Sequence, residues 1–171
     1  MLIRTEAPAD ILPIDALLRE AFPSHQEADL VLSLRENSRF TLSLVACSDE
    51  GEVIGHALFT PVTVNGEDHN WQGLAPVAVK ESCRQQGIAE ALIREGFESL
   101  RDFGYPVCVV LGEPEYYSRV GFQDAQTAQL KSIYNDMQEY QAGAFQVIEL
   151  HQGALDGVSG LVEYSPEFSH C

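Results

Sequence analysis

The chain has 171 residues, 45% of them apolar and 21% charged, which suits one globular domain and excludes a disordered chain. Its 26 acidic side chains against 10 basic ones give a formal net charge of −16, which argues against nucleic acid or an anionic membrane as the main partner. Cys47, Cys83, Cys108 and Cys171 have no CxxC spacing and no accompanying histidine cluster, which argues against a metal site and a disulfide scaffold.

The opening "MLIRTEAPAD" lacks a basic-then-apolar leader, and no apolar run approaches membrane-spanning length, so the expected location is the cytoplasm. "MLIRTE" reads as a first strand. Asp10 is placed to cap a helix, "ILPIDALLREAF", in which Ile11, Ile14, Leu17, Leu18 and Phe22 share a face. "HQEADLVLSLREN" is a second amphipathic helix, with Ala28, Leu30, Val31 and Leu34 apolar. Residues 41–48 alternate and read as a strand, and after a turn at 49–51 "EVIGHALFTPVTV" returns antiparallel. "NGEDHN" reads as a turn over 65–70, followed by a strand from about Trp71 to Val79. After Gly87 a helix follows, with Ile88, Ala89, Leu92, Ile93, Phe97, Leu100 and Phe103 at helical spacing and Gly104 as its stop. "YPVCVVLG" reads as a buried strand in which Cys108 serves as a small apolar residue, as Cys47 does in its own strand. "FQVIEL" and "GLVEYS" supply late strands. The order is that of a mixed sheet with helices on its faces, in one α/β-type domain spanning 1–171.

Two stretches carry chemistry. In "RQQGIA" (84–89), Gly87 lets backbone approach a ligand closely, and the helix that follows presents unpaired N–H groups beside the charge of Arg84. That combination favours a phosphate or pyrophosphate, although one glycine before a helix also marks an ordinary turn. In "YYSRVGF", either Tyr116 and Tyr117 pack with Phe122 at a domain edge, or one of them presents its phenol as a general acid to a leaving group.

"LAPVAV", "RQQGIAEAL", "VVLG" and "YYSRVGF", in this order and spacing, resemble the GNAT superfamily of acyl-CoA-dependent acyltransferases. Arg84, Gly87 and Ala89 match the family's loop after its fourth strand, and Tyr117, Gly121 and Phe122 match its Tyr ahead of a Gly-Phe pair. The match is fullest from Leu74 to Phe122. The tail fits a subgroup with the pattern LGxPxYYxRxGF. The resemblance implies an α/β (α+β) fold, with a mostly antiparallel sheet, splayed central strands and flanking helices. It implies acetyl-CoA as cosubstrate, its pantetheine arm on the backbone of Val77, Ala78 and Val79. The pyrophosphate would take the N–H groups of Arg84, Gln85, Gln86, Gly87, Ile88 and Ala89. It further implies direct attack by an amine on the thioester, with Tyr117 protonating the departing thiolate. Many members carry an Asn a few residues before that Tyr; "GEPEYYSR" has none. Spacing to Gly121 favours Tyr117 over Tyr116.

Glu113 and Glu115 lie near the site in sequence, and His56 and His151 are either pocket-lining or structural. Cys83 has no sequence partner to activate it. From Gln123 onward, Asp124, Asp136, Glu139, Glu149, Asp156, Glu163 and Glu167 stand against Lys131 alone. In the family the late strands help to wall the acceptor side, so the expected acceptor is a cationic primary amine, of a small molecule or a peptide. Acidity also serves solubility alone. Two other readings stay open: an acyl-CoA-binding regulatory module without catalysis, and an acidic protein-interaction domain. A homodimer is left open.

Overall fold

A computed structural model of the chain describes residues 1–133 and 141–170; Asp136, Glu139 and Cys171 lie outside them. The elements run β1 (Leu2–Thr5), α1 (Ile11–Ala21), α2 (Gln26–Glu36), β2 (Leu42–Cys47), β3 (Val53–Val64) and β4 (Glu67–Val79). They continue as α3 (Ile88–Asp102), β5 (Val107–Leu111), α4 (Pro114–Ser118), β6 (Gln123–Asp124), β7 (Leu130–Ser132), β8 (Phe145–Glu149) and β9 (Gly160–Glu163). Among the described residues no helix is long and apolar enough to cross a membrane. The fold is a mixed α/β one with a mostly antiparallel sheet. Two compact units share it: Met1–Thr60, Ala75–Gly96 and Ser165–Cys171 form one, Pro61–Leu74 and Phe97–Tyr164 the other.

In the first unit β1 pairs antiparallel with β2, and β2 antiparallel with β3. Ile14, Leu17 and Leu18 of α1 and Ala28, Leu30, Val31 and Leu34 of α2 pack with Val45, Cys47, Leu58 and Ala78. β2 does not alternate as expected: all of its residues are buried. Helices α1 and α2 cover the face that carries Val45 and Cys47. The other face holds Ala46 beside Gly55, where Ile88 and Leu92 of α3 crowd in at 3.0 Å from a built Cβ. Asp10 does not cap α1. Its carboxylate accepts from both Arg4 Nη1 at 2.6 Å and Nη2 at 3.1 Å and from the Ala7 N–H at 2.7 Å. It closes a short turn over Pro8–Asp10 instead, and Arg4 holds the Asp10 carboxyl below its ordinary value.

Gly96 lies against the wholly buried Phe59 ring, to which a Cβ would come within 2.4 Å. Alanine gains about 1 kcal/mol of helix propensity there. Forcing a methyl into a filled core costs about 1–3 kcal/mol, so overpacking should win. Gly96→Ala is expected to lower the urea midpoint without changing the slope; a raised midpoint would contradict this packing.

In the second unit β5 pairs antiparallel with β8, β6 antiparallel with β8, β7 parallel with β9, and β9 antiparallel with β3. Its core gathers Val62, Val64, Trp71, Val107, Val109, Leu130, Phe145, Val147 and Val162. β4 and β5 run parallel with Gln72 opposite Cys108 and Gly73 opposite Val109. Among the described residues their ladder stops there, although β4 runs on to Val79 and β5 to Leu111. The turn expected over 65–70 is shorter: Asn65 and Gly66 have φ of 51° and 80°, and β4 begins at Glu67. Two successive left-handed residues, Asn then Gly, match the twist of the flanking strands and need no longer loop. Phe103, expected on the apolar face of α3, is 77% exposed, because the helix ends at Asp102 and the chain turns through Gly104 at φ 86°.

Candidate active site

β4 ends with Val77 and Val79 half-buried and Ala78 buried between them. The Lys80 N–H then donates to the Ile54 carbonyl at 2.8 Å, and Glu81–Cys83 make one tight turn. Beyond it both Gln85, at φ 63°, and Gly87, at φ 78°, are left-handed. A Cβ on Gly87 would meet nothing within 4 Å. Glycine is therefore suited here by the backbone turn and not by crowding, and the space over it is open. The Gly87 carbonyl accepts the Ala91 N–H at 3.0 Å, which makes Gly87 the residue that opens α3. The N–H groups of Ile88, Ala89 and Glu90 then lie in the first turn, where an α-helix supplies no acceptor of its own. The helix dipole adds partial positive charge at that end.

Arg84 is exposed, but its guanidinium is engaged. Nε donates to the Val79 carbonyl at 3.2 Å and Nη2 to the Ala21 carbonyl at 3.3 Å. It ties the loop to the end of β4 and to the C-terminal end of α1, whose carbonyls favour a cation. Its charge remains in the loop, while part of its donor fork serves the loop's own shape.

Tyr116 and Tyr117 belong to the second unit. The segment Pro114–Ser118 folds into the short helix α4, with Pro114 in its first turn. The helix closes when the N–H groups of Val120 and Phe122 both donate to the Tyr117 carbonyl, at 3.1 and 3.2 Å. Gly121, at φ 104°, permits that reversal. The reversal lays the Phe122 ring edge-on to Tyr117 at 5.7 Å between centroids, and Phe97 lies against Phe122 at 5.6 Å. This is the physical content of the Tyr-x-x-x-Gly-Phe spacing. Tyr116 packs edge-on to Tyr117 at 5.0 Å, and Arg119 sits over the Tyr116 ring at 5.8 Å. Burial first, then the neighbouring Tyr116, push the Tyr117 phenol up to about 12. It therefore keeps its proton across the ordinary working range.

The remaining candidates separate cleanly. His56 is wholly buried, with Nε2 2.9 Å from the Ser43 hydroxyl. Burial, then the charge of Arg35, lower its pKa to about 3, so it is a neutral structural group and lines no open pocket. His151 Nε2 lies 3.1 Å from the Arg101 carbonyl. Glu113 and Glu115 are exposed, and Cys83 is half-buried beside Ser82 at 3.8 Å. Cys47 and Cys108 are buried, and burial pushes the Cys108 thiol up, as befits small apolar residues. Among the described residues no cluster of His, Cys, Asp or Glu is arranged to hold a metal. Sequence reasoning missed the left-handed Gln85, since glutamine carries no signal for that conformation. It also missed how closely Gly112 meets Tyr117.

A family model for the acetyltransferase (GNAT) domain matches residues 3–125. The uncharacterized N-acetyltransferase YhbS of Escherichia coli strain K12 is 50% identical over 169 residues, covering 99% of either chain. The crystal structure of E. coli YhbS in complex with CoA has a TM-score of 0.93, covering 98% of this chain and 91% of that one at 50% identity. A GNAT acetyltransferase from Brucella melitensis, in complex with acetyl-CoA, has a TM-score of 0.79 at 34% identity, covering 98% of this chain and 97% of that one.

Proposed function

The chain belongs to the GNAT acetyltransferase family, and from that premise we propose that it moves an acetyl group from acetyl-CoA to a cationic primary amine. The observation that carries this reading is the loop into α3, left-handed at Gln85 and Gly87 and open above the glycine. Its N–H groups, from Arg84 to Ala89, take the pyrophosphate of the cosubstrate. The backbone of Val77, Ala78 and Val79 holds the pantetheine arm. The structures of YhbS with CoA and of the Brucella protein with acetyl-CoA support that cosubstrate. Residues 1–171 act as one acyltransferase domain, in keeping with a relative matched over 99% of the chain.

In the reaction the neutral amine attacks the thioester carbonyl and a C–N bond forms. The C–S bond then breaks, the amine's proton passes to solvent, and the thiolate leaves under the Tyr117 hydroxyl. Fixed dipoles orient the thioester and stabilise the charge that develops.

The acceptor follows from charge. The cosubstrate is itself anionic, so an acidic surface does not attract it; it attracts a cation. Glu167 is not part of that field: it is buried, accepts from Asn37 at 2.7 Å and pairs with Arg39 at 3.2 Å. Asp124, Asp156 and Glu163 are exposed and remain available. A panel of amines matched in size and differing in charge, assayed for thiol release at two ionic strengths, tests this reading. Cationic amines should be preferred, and added salt should raise their KM through screening. A preference for anionic amines, or a KM indifferent to salt, would leave the acidity as a solubility feature. Acetyl-CoA binding without turnover of any amine would favour the regulatory module.

A further inference from the structure

Gly112, between β5 and α4, is held by its backbone on both sides: its N–H donates to the Ala144 carbonyl at 2.9 Å. Its own carbonyl accepts from Gln146 Nε2 at 3.3 Å, a side chain only 2% exposed. Its φ lies outside the left-handed region, so the backbone does not require glycine. The neighbouring side chain does. A Cβ built on Gly112 would lie 2.5 Å from Tyr117 Cε2, 3.2 Å from Cδ2 and 3.5 Å from Cζ. The Tyr117 ring occupies the space a side chain at 112 would fill, and Phe122 and Tyr116 stand edge-on against the same ring.

We propose that Gly112 is a positioning residue: the absence of its side chain, on a backbone fixed by Ala144 and Gln146, sets where the Tyr117 hydroxyl stands. The inference rests on the reading that Tyr117 serves the leaving thiolate. Alanine suits the backbone at 112, so its cost falls on the tyrosine. A misplaced catalytic group loses rate steeply while ground-state binding elsewhere is kept.

The test is a cycle of Gly112→Ala, Tyr117→Phe and the double variant, with tyrosine labelled at 13Cζ for NMR. Gly112→Ala should lower kcat about tenfold or more with KM for acetyl-CoA changed less than about twofold. In the Tyr117→Phe background the same change should cost less than about twofold in kcat. The Tyr117 resonance, identified by its loss in Tyr117→Phe, should shift in Gly112→Ala and titrate at lower pH as the ring is displaced toward solvent. An unmoved resonance, or an equal loss of kcat in both backgrounds, overturns the proposal. If Tyr117→Phe itself keeps full rate, the acid assignment fails; the resonance then decides separately whether Gly112 places the ring. Should Gly112→Ala not fold, Gln146→Leu enters the same cycle, since it removes the bond to the Gly112 carbonyl. A fixed Tyr117 resonance and unchanged kcat in that variant likewise count against the proposal.

Discussion

Gly87→Glu is expected to abolish CoA binding while the protein stays folded. The new side chain meets no protein atom, since nothing lies within 4 Å of a Cβ at this position, so the core is not disturbed. An L-residue at φ 78° costs roughly 1–2 kcal/mol of local strain. On the proposed seat, the carboxylate would stand among the N–H groups assigned to the pyrophosphate and would repel that ligand at close range. Together these should cost at least about 100-fold in affinity by calorimetric titration. Gly87→Ala carries the strain without the charge and should bind measurably more weakly than wild type but far better than the glutamate. Arg84→Ala should weaken binding by roughly 1–3 kcal/mol, the range of a charge-assisted hydrogen bond. Part of that loss comes from freeing the loop from Val79 and Ala21. Unchanged affinity in Gly87→Glu sinks the pyrophosphate assignment, and circular dichroism of the same sample excludes unfolding as the reason for a loss.

How much of this was legible in the sequence depended on the range of the interactions. Helices α1, α2 and α3 announce themselves because apolar residues recur at 3.6-residue spacing over three turns or more. β5 reads as a buried apolar run, and its parallel pairing with β4 follows from the helix between them. β6 and β7 are too short to show any period. β2 departs from the expected alternation because alternation reports one covered face, and here helices cover both. Asp10 has the residue type of a helix cap, but Arg4 offers it a stronger, charge-assisted partner. For the site, Gly87 and the Tyr117–Gly121–Phe122 spacing are local signals with local causes. The two others are as close in sequence but carry no signal in residue type. Gln85 adopts a left-handed turn that glutamine does not advertise, and Gly112 is crowded by a ring that reaches it only after α4 has turned back.

Tyr117→Phe is expected to lower kcat by about 100-fold or more and to leave acetyl-CoA affinity nearly intact, the pattern of an interaction made in the transition state alone. The phenol stands at about 12, whereas a cysteine thiol, the reference for the departing thiol, titrates at about 8.5. Complete proton transfer from phenol to thiolate would therefore run uphill, so in the proposed role the hydroxyl would act chiefly by donating a hydrogen bond as charge gathers on sulfur. Removing one such preorganised donor costs about 100- to 1,000-fold, which sets the expected loss. The sign of the pH dependence follows. The protonated phenol is fully present below its pKa and is lost only as pH rises through about 12. The attacking amine gains its neutral form as pH rises. The rate should therefore climb with pH to a plateau, with no falling limb from Tyr117 in the usual assay range. Tyr117→Phe should lower that plateau without moving the climb. Steady-state profiles of wild type, Tyr117→Phe and Tyr116→Phe decide the matter. Tyr116, whose ring lies under Arg119, should show the milder loss. A larger loss in Tyr116→Phe would transfer the role to that residue. If neither variant loses rate, solvent water receives the thiolate and the aromatic cluster is a packing device.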